Sequence, residues 1–495
     1  MHRWPDGCGL PPRVSLLHGW VGPVRVECVR NTPFACTLSG TVKGMAPLAH
    51  DTVATNETAP VDAVPVELEL TAEIARDLIR FDTSNYGEGR SNGETDAAEY
   101  VAARLRDLGL VPELVDAAPG RTSVVARVPG RNPDADALVV HGHLDVVPAE
   151  PANWSVDPFA GVVRDDMLWG RGAVDMKNMD AMILAAVGDI VRADDAPQRD
   201  LVLAFFADEE AGGVLGSRHL VENRPELFAG ATEALSEVGG YSITVGGQRA
   251  YLLQTGEKSL VWARLTAHGD AGHGSRLHTA NSVTRLAEAV VAVGRHEWPI
   301  RLTDTATELL TELARLLNVD PALVGPDELA LATGTASGFI QASLRTTTNP
   351  TGLSAGYKHN VIPDRAEALV DIRCLPGDEN RVLAELAELI GPDIDIETLH
   401  RDQGLETRFR GPFVEAAIGA LGRHDPGAPV LPYMFSGGTD NSALAALGIT
   451  GYGFAPLRLP ADFNFPSMFH GVDERVPLAA LGFGRRVLAD LLATY

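Results

Sequence analysis

The stretch Ala-Leu-Val-Val-His-Gly-His-Leu-Asp-Val-Val, residues 137–147, joins a short apolar run to a histidine and an aspartate. A similar run at 201–206 leads into Ala-Asp-Glu-Glu at 207–210. Such runs, alternating with helical periodicity as in 94–110 and 179–191, are typical of buried strands in a largely parallel α/β sheet. Open α/β sheets bind ligands at the carboxyl ends of their strands. The pattern therefore predicts an α/β domain with its functional site at that edge.

The middle of the chain shows a different order of elements. Apolar patterning predicts strand, helix, two strands, helix and strand, in the segments 260–268, 281–296, 351–357, 366–374, 379–391 and 394–400. This is the split βαβ order of a ferredoxin-like α+β domain. We place that domain at 249–404, inserted between two parts of the α/β domain at 61–248 and 405–495. The stretch 301–343 exceeds what the inserted unit needs and indicates no function.

Composition and charge exclude several classes of protein. The 495 residues are 45% hydrophobic, include four cysteines and carry a formal charge of −25. This acidity opposes binding to nucleic acid, which depends on Lys and Arg. The four cysteines are too few and too scattered for a disulfide scaffold. The sequence contains no run of about 18 apolar residues, so it predicts no membrane span. We expect a cytoplasmic protein without nucleic-acid or membrane partners.

Residues 1–60 differ from the rest of the chain. They contain three of the four cysteines, Pro and Gly without a period, and a polar stretch that includes Asn56 and Glu57. The N-terminus lacks the charged and apolar regions of a signal peptide. We expect a mostly disordered extension, with Met45 as a candidate true start.

The polar residues after the apolar runs are weak signals individually. His143 and Asp145 share one side of a strand because residues two apart point the same way, so the carboxylate can orient the imidazole. Taken alone, such a pair is more often structural than metal-ligating. Asp175 follows a Gly-rich turn at 170–174 and, by itself, is typical of a cap or turn residue.

The acidic run at 207–210 is a stronger signal. Its three successive carboxylates repel one another unless a cation neutralises them or one is protonated. A solvated acidic loop is an equally good interpretation of the run in isolation. Glu237 and His470 are weak alone. Together the clusters supply two imidazoles and at least three carboxylates, a set suited to two zinc ions ~3.5–4 Å apart that share a carboxylate.

Five motifs, in their order and spacing, closely resemble the M20 metallopeptidase family: GHLDVVP, GRGAVDMK, ADEE, SEVGG and FHGVDER. That family includes aminoacylases, glutamate carboxypeptidases, acetylornithine deacetylases and succinyl-diaminopimelate desuccinylases. The resemblance covers about residues 66–495. It implies a phosphorylase/hydrolase-like zinc exopeptidase catalytic domain with an inserted ferredoxin-like lid domain that serves dimerisation.

The resemblance also implies a role for each polar residue. The ligands of one zinc ion would be His143, Asp175 and Glu237, and those of the other Asp175, Glu210 and His470. Asp175 would then bridge two zinc ions per subunit, for which Co²⁺ or Mn²⁺ are substitutes. Asp145 would orient His143, and Glu209 would be the general base that takes a proton from the bridging water.

The inserted domain carries a further mark of the family. Gly-Asp-Ala-Gly-His-Gly-Ser at 269–275, followed by Asn281, resembles the lid motif whose histidine reaches the partner subunit's site and stabilises the oxyanion. That histidine is His273 here. The resemblance implies a homodimer formed through the lid domain, whereas the bare residue would be an ordinary loop histidine.

Substrate-binding residues are implied in the same way. Asn360 and Arg373 lie in segments that resemble those binding the substrate carboxylate, and an arginine fork grips a carboxylate with two parallel bonds. Gly437 and Gly438 would offer backbone N–H groups to the same carboxylate. The alternatives are an ion pair of Arg373 with a nearby aspartate and a plain turn at the two glycines.

One departure from the family pattern follows Asp-Met-Lys. The family commonly has Gly-Gly there, and this chain has Asn178 and Met179. The implied ligand positions are intact, so the departure concerns the backbone after Asp175 and the shape of the neighbouring pocket.

The predicted function is cleavage of an amide or peptide bond adjacent to a free carboxylate, in an N-acyl amino acid or a short peptide. The alternative is a biosynthetic deacylase such as a succinyl-diaminopimelate desuccinylase or acetylornithine deacetylase. A serine hydrolase built from Ser436, Asp440 and His470 lacks the Gly-x-Ser-x-Gly elbow. A non-catalytic binding relative would usually have lost a ligand or the base, and none is lost here.

Overall fold

The computed structural model describes residues 68–193 and 196–495 and, within the N-terminal extension, the strands Arg25–Cys28 and Cys36–Ser39. These two strands pair antiparallel, with Cys28 opposite Cys36. The rest of the extension lies outside the described residues. The expected disorder and the candidate start at Met45 therefore stay predictions.

The larger part of the structure is built on a ten-stranded mixed sheet. Across it the strands are Ser242–Val245, Gln248–Glu257, Thr450–Gly453, Ala231–Ser236, Ala137–His143, Leu201–Phe206, Arg121–Val128 and Glu113–Ala118, with Leu405–Glu406 and Val430–Phe435 also paired to Gln248–Glu257. The four strands that end at Gly453, Ser236, His143 and Phe206 are mutually parallel. This confirms the predicted α/β class with a parallel core.

Both faces of this sheet are covered. Leu138 and Val140 pack into one core and Val139 packs into the other, because successive strand residues point to opposite faces. Since both faces are buried, the strands are apolar throughout. The covering helices are Leu70–Ile79, Thr95–Asp107, Lys177–Arg192, Ser217–Asn223, Asp304–Leu317, Pro326–Leu331, Ser337–Ser343, Pro412–His424, Asn441–Leu444 and Leu478–Thr494.

A second, four-stranded antiparallel sheet has its own core. Its strands, in spatial order, are Thr347–Ala355, Arg365–Cys374, Ser259–His268 and Ile394–Arg401. The helices Ser282–Arg295 and Glu379–Ile390 pack on one face, where Leu286 and Leu386 meet Val261 and Ile372. If the strands are numbered by their order in the chain, they stand across the sheet in the order 2-3-1-4. This is the split βαβ arrangement that the sequence predicts.

The start of this small domain differs from the predicted boundary at residue 249. The strand Gln248–Glu257 pairs with Ser242–Val245 and Val430–Phe435 in the large sheet, and the small sheet begins at Ser259. The strand is buried on both faces from Ala250 to Glu257, as a central strand of a two-faced sheet requires. The apolar run in the sequence indicates a buried strand, but it does not show whether that strand joins the large sheet or the small sheet.

The stretch 301–343 belongs to the large domain, although it lies between strands of the small sheet in the chain. Its three helices bury Leu309, Leu313 and Ile340 in the same core as Leu138 and Val140. Thr303 caps the first helix by accepting the N–H of Ala306. The amphipathic pattern of this stretch therefore reflects packing on the large sheet.

Short elements complete the fold. The small strands are Asn85–Gly87, Arg90–Ser91, Val162–Arg164, Met167–Trp169, Gly272–His273, Val361–Ile362 and Arg475–Pro477. The 3₁₀ turns are Pro151–Asn153, Glu209–Ala211, Pro225–Phe228, Gly334–Ala336, Ala445–Leu447 and Phe465–Ser467. No helix within the described residues is both long and apolar enough to span a bilayer.

Candidate metal centre

Three neighbouring parallel strands deliver polar side chains to one edge of the large sheet. His143 is the last residue of its strand, Glu209 and Glu210 follow the strand that ends at Phe206, and Glu237 follows the strand that ends at Ser236. Because parallel strands end at the same edge, these residues converge. Asp175 and His470 reach the edge from loops, so the structure brings all six side chains together.

The first donor group consists of His143, Asp175 and Glu237. His143 Nε2 lies 3.2 Å from Asp175 Oδ1 and 3.7 Å from Glu237 Oε1. All three residues are at least nine-tenths buried. One imidazole nitrogen and two carboxylate oxygens within reach of one point form a site for a divalent metal ion.

The second donor group consists of Asp175, Glu210 and His470. His470 Nε2 lies 3.2 Å from Asp175 Oδ2 and 3.2 Å from Glu210 Oε2. Asp175 thus presents one oxygen to each group. A carboxylate shared in this way is the arrangement expected of a bridge between two metal ions.

Glu209 lies beside the first group without being part of it. Its Oε2 is 3.9 Å from His143 Nε2, and Glu209 lines the cavity described below. Burial, together with the carboxylates of Glu237 and Asp440, raises the pKa of Glu209 well above its ordinary value, although His143 opposes this. A carboxylate with a raised pKa is suited to accept and return a proton.

Asp145 holds the loop that carries the two glutamates. Its carboxylate oxygens accept the backbone N–H groups of Glu209 and Glu210 at 3.0 and 3.1 Å and an amide N–H of Asn85 at 2.8 Å. His143 Nδ1 lies 3.0 Å from the backbone carbonyl oxygen of Asp145 and 3.6 Å from its carboxylate. The carboxylate therefore fixes the Glu209–Glu210 loop, which the sequence does not suggest, while the hydrogen-bond contact of the imidazole is with the backbone carbonyl of Asp145.

Glu474 fixes the loop that carries Asp175. Its carboxylate accepts the backbone N–H groups of Gly172, Val174 and Asp175, and it pairs with Arg171 at 2.6 Å. Burial raises the pKa of Glu474 to about 7 against the lowering effect of Arg171. Sequence reasoning missed this role, although Glu474 lies within the quoted FHGVDER motif.

The charges of the cluster fit a pair of divalent metal ions. Among the described residues, the two imidazoles are the only cationic partners within 4 Å of Asp175, Glu209, Glu210 and Glu237. Burial alone would lower the pKa of His470, but hydrogen bonds with Asp175 and Glu210 raise it to about 11. The cluster therefore draws in positive charge, and metal ions would supply that charge and displace the protons from the imidazoles.

A cavity of about 430 Å³ opens from this cluster toward the small sheet. It is lined from the large domain by residues that include Glu209, Glu237, Gly437 and Gly438, and from the small domain by Leu260, Trp262 and Arg373. The predicted carboxylate-binding groups Arg373, Gly437 and Gly438 thus share one cavity with the metal-donor groups. A ligand in the cavity would touch both domains.

Arg373 has a partner within its own chain. Its Nε and Nη2 donate to the two carboxylate oxygens of Asp371 at 2.7 and 2.9 Å, and Trp262 Nε1 donates to Asp371 at 3.2 Å. This is one of the ion pairs that the sequence left open as an alternative. Arg373 still faces the cavity, so its planar fork lies beside the space available to a ligand.

His273 and Asn360 lie together, away from this cavity. Gly272–His273 pairs with Val361–Ile362, and Gly274 donates its N–H to the carbonyl oxygen of Asn360 at 2.9 Å. His273 is exposed, and its Nδ1 contacts Ser275 Oγ at 2.8 Å. Neither His273 nor Asn360 lines the cavity of its own chain among the described residues.

Arg218 carried no signal in the sequence, and Asp440 entered only through the serine-hydrolase alternative. Arg218 lines the cavity and pairs with Asp402, while Asp440 is buried there with its pKa raised to about 7, chiefly by burial. Asn178 and Met179, at the departure from the family pattern, are buried in the first turn of the helix Lys177–Arg192. Isolated polar residues of this kind have no spacing that marks them before the fold is known.

The serine-hydrolase alternative finds no support in the geometry. His470 contacts Asp175 and Glu210, and among the described residues no hydrogen bond or ion pair joins it to Ser436 or Asp440. A mixed sheet with a parallel centre, two metal-donor groups at the edge of that centre and a buried carboxylate at a cavity instead define a metal-dependent hydrolase.

The chain belongs to Peptidase family M20/M25/M40, whose model matches residues 139–494. It is 26% identical to aminoacylase-1 of Sus scrofa over 419 residues, which cover 80% of this chain and 89% of the relative. It is also 26% identical to the N-fatty-acyl-amino acid synthase/hydrolase PM20D1 of Xenopus tropicalis over 450 residues, 86% of each chain. The M20 resemblance and the hydrolase class are thereby confirmed.

A solved structure agrees at the level of the fold. The M20 family metallo-carboxypeptidase Sso-CP2 from Sulfolobus solfataricus superposes with a TM-score of 0.67 at 18% identity, over 86% of this chain and 99% of that one. The likeness shows that the two chains share a fold.

Proposed function

We propose that this hydrolase uses two zinc ions to cleave an amide bond next to a free carboxylate, in an N-acyl amino acid or a short peptide. The observation that carries the proposal is the pair of donor groups that share Asp175, with Glu209 beside them at the cavity. Imidazole and carboxylate donors suit zinc, and Co²⁺ or Mn²⁺ would be substitutes.

The donor residues divide as the sequence suggests. His143, Asp175 and Glu237 would hold one ion, and Asp175, Glu210 and His470 would hold the other. The ions would supply Lewis acidity, which polarises the scissile carbonyl and lowers the pKa of water toward neutrality.

The remaining steps belong to side chains of the protein. Glu209 takes the proton from the attacking water and passes it to the leaving amine, and its place at the cavity beside the donor groups suits both transfers. Arg373, Gly437 and Gly438 hold the substrate carboxylate, which aligns the amide with Glu209. Because Asp371 already occupies the fork of Arg373, the substrate carboxylate approaches an arginine whose position is fixed.

His273 and Asn360 would act on the cavity of a partner subunit. They lie at one small two-stranded antiparallel ribbon, where Gly272–His273 pairs with Val361–Ile362, and both are exposed and outside the lining of their own cavity. A homodimer formed through the small domain would bring His273 to the partner's oxyanion and Asn360 to the partner's substrate carboxylate.

The substrate class follows from the cavity and from two relatives. Aminoacylase-1 and the N-fatty-acyl-amino acid synthase/hydrolase act, by their names, on acylated amino acids. An amide joined to a carbon that bears a carboxylate would place its carbonyl at the cluster and its carboxylate at Arg373.

The test is a turnover screen with metal analysis. N-acyl amino acids, dipeptides, N-succinyl-diaminopimelate and N-acetylornithine are compared on the purified protein, with methyl esters of the best substrates as controls. We expect turnover of N-acyl amino acids or dipeptides, two metal ions per chain, and loss of activity with a chelator that added zinc restores. Inhibition by a serine-directed reagent but not by the chelator, or equal rates on acids and esters, would contradict the proposal.

A further inference from the structure

Three half-buried phenylalanines converge on one side of the cavity, and we call them the aromatic wall: Phe339, Phe435 and Phe469. The ring centroid of Phe339 lies 6.4 Å from that of Phe435 and 6.1 Å from that of Phe469. These are ordinary distances for interacting aromatic rings. Each ring also faces the cavity, so part of the apolar surface of the wall is left for a ligand.

We propose that the aromatic wall binds the side chain of the amino-acid half of the substrate, and that Phe339 selects substrates in which this side chain is apolar. The inference rests on the proposed function and assigns a specificity residue to it. It also gives a role to the stretch 301–343, which carries Phe339 on its last helix, Ser337–Ser343.

We call Arg373, Gly437 and Gly438, which are proposed to bind the substrate carboxylate, the carboxylate anchor. The position of the aromatic wall next to this anchor favours binding of the amino-acid half of the substrate over binding of the acyl half. A Cβ atom built on Gly437 would lie 2.6 Å from the ring of Phe435, so that ring packs directly against Gly437. In an N-acyl amino acid, the carbon that bears the carboxylate also bears the side chain. A carboxylate held at Gly437 and Gly438 therefore places the side chain next to the aromatic wall.

The other end of the wall reaches the metal-donor cluster. Phe469 directly precedes His470, and Phe339 bridges Phe435 and Phe469. The wall thus extends from the carboxylate anchor to the scissile bond, along the part of the substrate that lies between them. An apolar side chain there would remove both its own surface and the exposed ring surface from water.

Charge in the cavity points to the same selectivity. Seven acidic residues line it, Asp175, Glu209, Glu210, Glu237, Asp371, Asp402 and Asp440, against the two arginines Arg218 and Arg373. Both arginines are paired with aspartates. Asp440 is buried beside Ser217 with no cationic partner within 4 Å in the described part of the chain. With Arg373 assigned to the substrate's own carboxylate and Arg218 paired with Asp402, an acidic substrate side chain would find no further arginine or lysine among the described residues that line the cavity.

Phe339 is held in place from behind. Ile340, the next residue, is fully buried in the large core. The buried Lys258 donates from Nζ to the carbonyl oxygens of Ala342 and Arg345 at 3.1 and 2.9 Å, at the end of the same helix. Because the helix is tied down at its core face and its end, the ring of Phe339 presents a fixed surface to the cavity.

The experiment crosses two substrate series with variants of Phe339. One series varies the amino acid under a constant acetyl group: N-acetyl-alanine, -leucine, -phenylalanine and -aspartate. The other varies the acyl group on constant alanine, from acetyl to decanoyl. For Phe339→Ala we expect kcat/KM to fall about tenfold for N-acetyl-leucine and N-acetyl-phenylalanine, since apolar pocket contacts discriminate by roughly 10–200-fold. Rates on N-acetyl-alanine and along the acyl series should change less than about threefold.

Two further variants keep the test decisive. Phe339→Trp fills the space beside the wall, so turnover of N-acetyl-phenylalanine should fall more than turnover of N-acetyl-alanine. This variant takes the place of Phe339→Ala if the alanine variant does not fold. Phe409→Ala removes a half-buried phenylalanine that lines a different surface groove and should leave the whole profile unchanged.

The outcomes separate this inference from the proposed function. A wild-type protein that hydrolyses neither these substrates nor the dipeptides of the first screen would overturn the proposed function. A wild-type protein that hydrolyses them, with Phe339 variants that lose activity along the acyl series or uniformly across the amino acids, would overturn only the role of the aromatic wall.

Discussion

Glu209 and Glu210 are adjacent acids with different surroundings. Glu210 Oε2 lies 3.2 Å from His470 Nε2, inside a metal-donor group, whereas Glu209 belongs to neither group and lines the cavity. The backbone turn Glu209–Ala211 separates the two side chains because successive residues point in different directions. Their assigned roles, base and ligand, can therefore be separated by substitution.

Glu209→Gln should keep the bound metal and lower kcat by about 10²–10⁴-fold, the range in which general acid–base catalysis contributes. Glu210→Gln should instead weaken one metal site because a neutral amide is a poor zinc ligand. Elemental analysis and turnover at saturating substrate measure the two effects. The exposed Glu222→Gln is the control and should change neither.

The results could also reverse the assignment. Loss of metal from Glu209→Gln with full occupancy in Glu210→Gln would exchange the two roles. Unchanged turnover in Glu209→Gln would show that another group takes the proton.

The sequence identified the residues that converge on the metal centre, with Asp145 beside them, but not the other residues that hold them. Motif spacing singled out His143, Asp175 and Glu237 because their neighbours form recognisable short patterns. Asn85 donates a hydrogen bond to Asp145, and Arg121 donates one to Asp208. In the sequence, both donors are isolated polar residues. Only the folded structure shows that they are buried together.

Among the elements, the loop 170–175 depends on one carboxylate. Glu474 accepts three backbone N–H groups from this loop and pairs with the buried Arg171. Removing the charge leaves a buried guanidinium without its partner, a change that typically costs about 3–5 kcal/mol of unfolding free energy.

Glu474→Gln should therefore lower the unfolding free energy by an amount in that range and reduce metal content, because Asp175 loses its support. Urea unfolding and elemental analysis of the same preparation would measure both effects. Glu312→Gln, which breaks an exposed pair with Arg315, should leave both unchanged. A stable Glu474→Gln protein with full metal content would show that the backbone holds Asp175 without this carboxylate.

Element type was easier to predict than element membership. The alternation of apolar runs with helical periods predicted the α/β class, and the order of elements between 260 and 400 matches the small domain. The strand Gln248–Glu257 and the helices within 301–343 were assigned to the wrong neighbour in space. Local pattern indicates that a strand or helix is buried, but the partner that buries it is set by the tertiary fold.

At the scale of the whole molecule, the main prediction is a homodimer with shared sites. His273 and Asn360 are exposed at one small two-stranded ribbon, outside the lining of the cavity of their own chain. A chain with His273→Ala and a chain with Glu209→Gln should each be inactive as homodimers. In a mixed dimer, one of the two sites would have both groups intact.

We expect mixed dimers, formed by refolding the two variants together and isolated by two affinity tags, to recover up to about half of the wild-type activity per site, because one site in two is complete. Refolded homodimers of each variant are the controls. No recovery in verified mixed dimers, or a wild-type protein that is active as a monomer, would contradict sharing between subunits.

The placement of the helices within 301–343 has a consequence for how the two domains can move. Because these helices belong to the large core, the chain passes between the domains four times, near residues 258, 299, 345 and 402. The passages are tied to one another: Lys258 Nζ donates to Arg345 O, Arg301 N–H donates to Leu344 O, and Asp402 N–H donates to Leu260 O.

A two-passage connection can act as a simple hinge, but four bundled passages must all bend together. Swinging the small domain away from the cavity would bend all four passages and strain the hydrogen bonds that tie them, so the connection itself resists that motion. The small domain also cannot be exchanged with that of a relative as one contiguous cassette. A graft must replace 259–298 and 346–401 as two separate inserts and leave the helices between them in place.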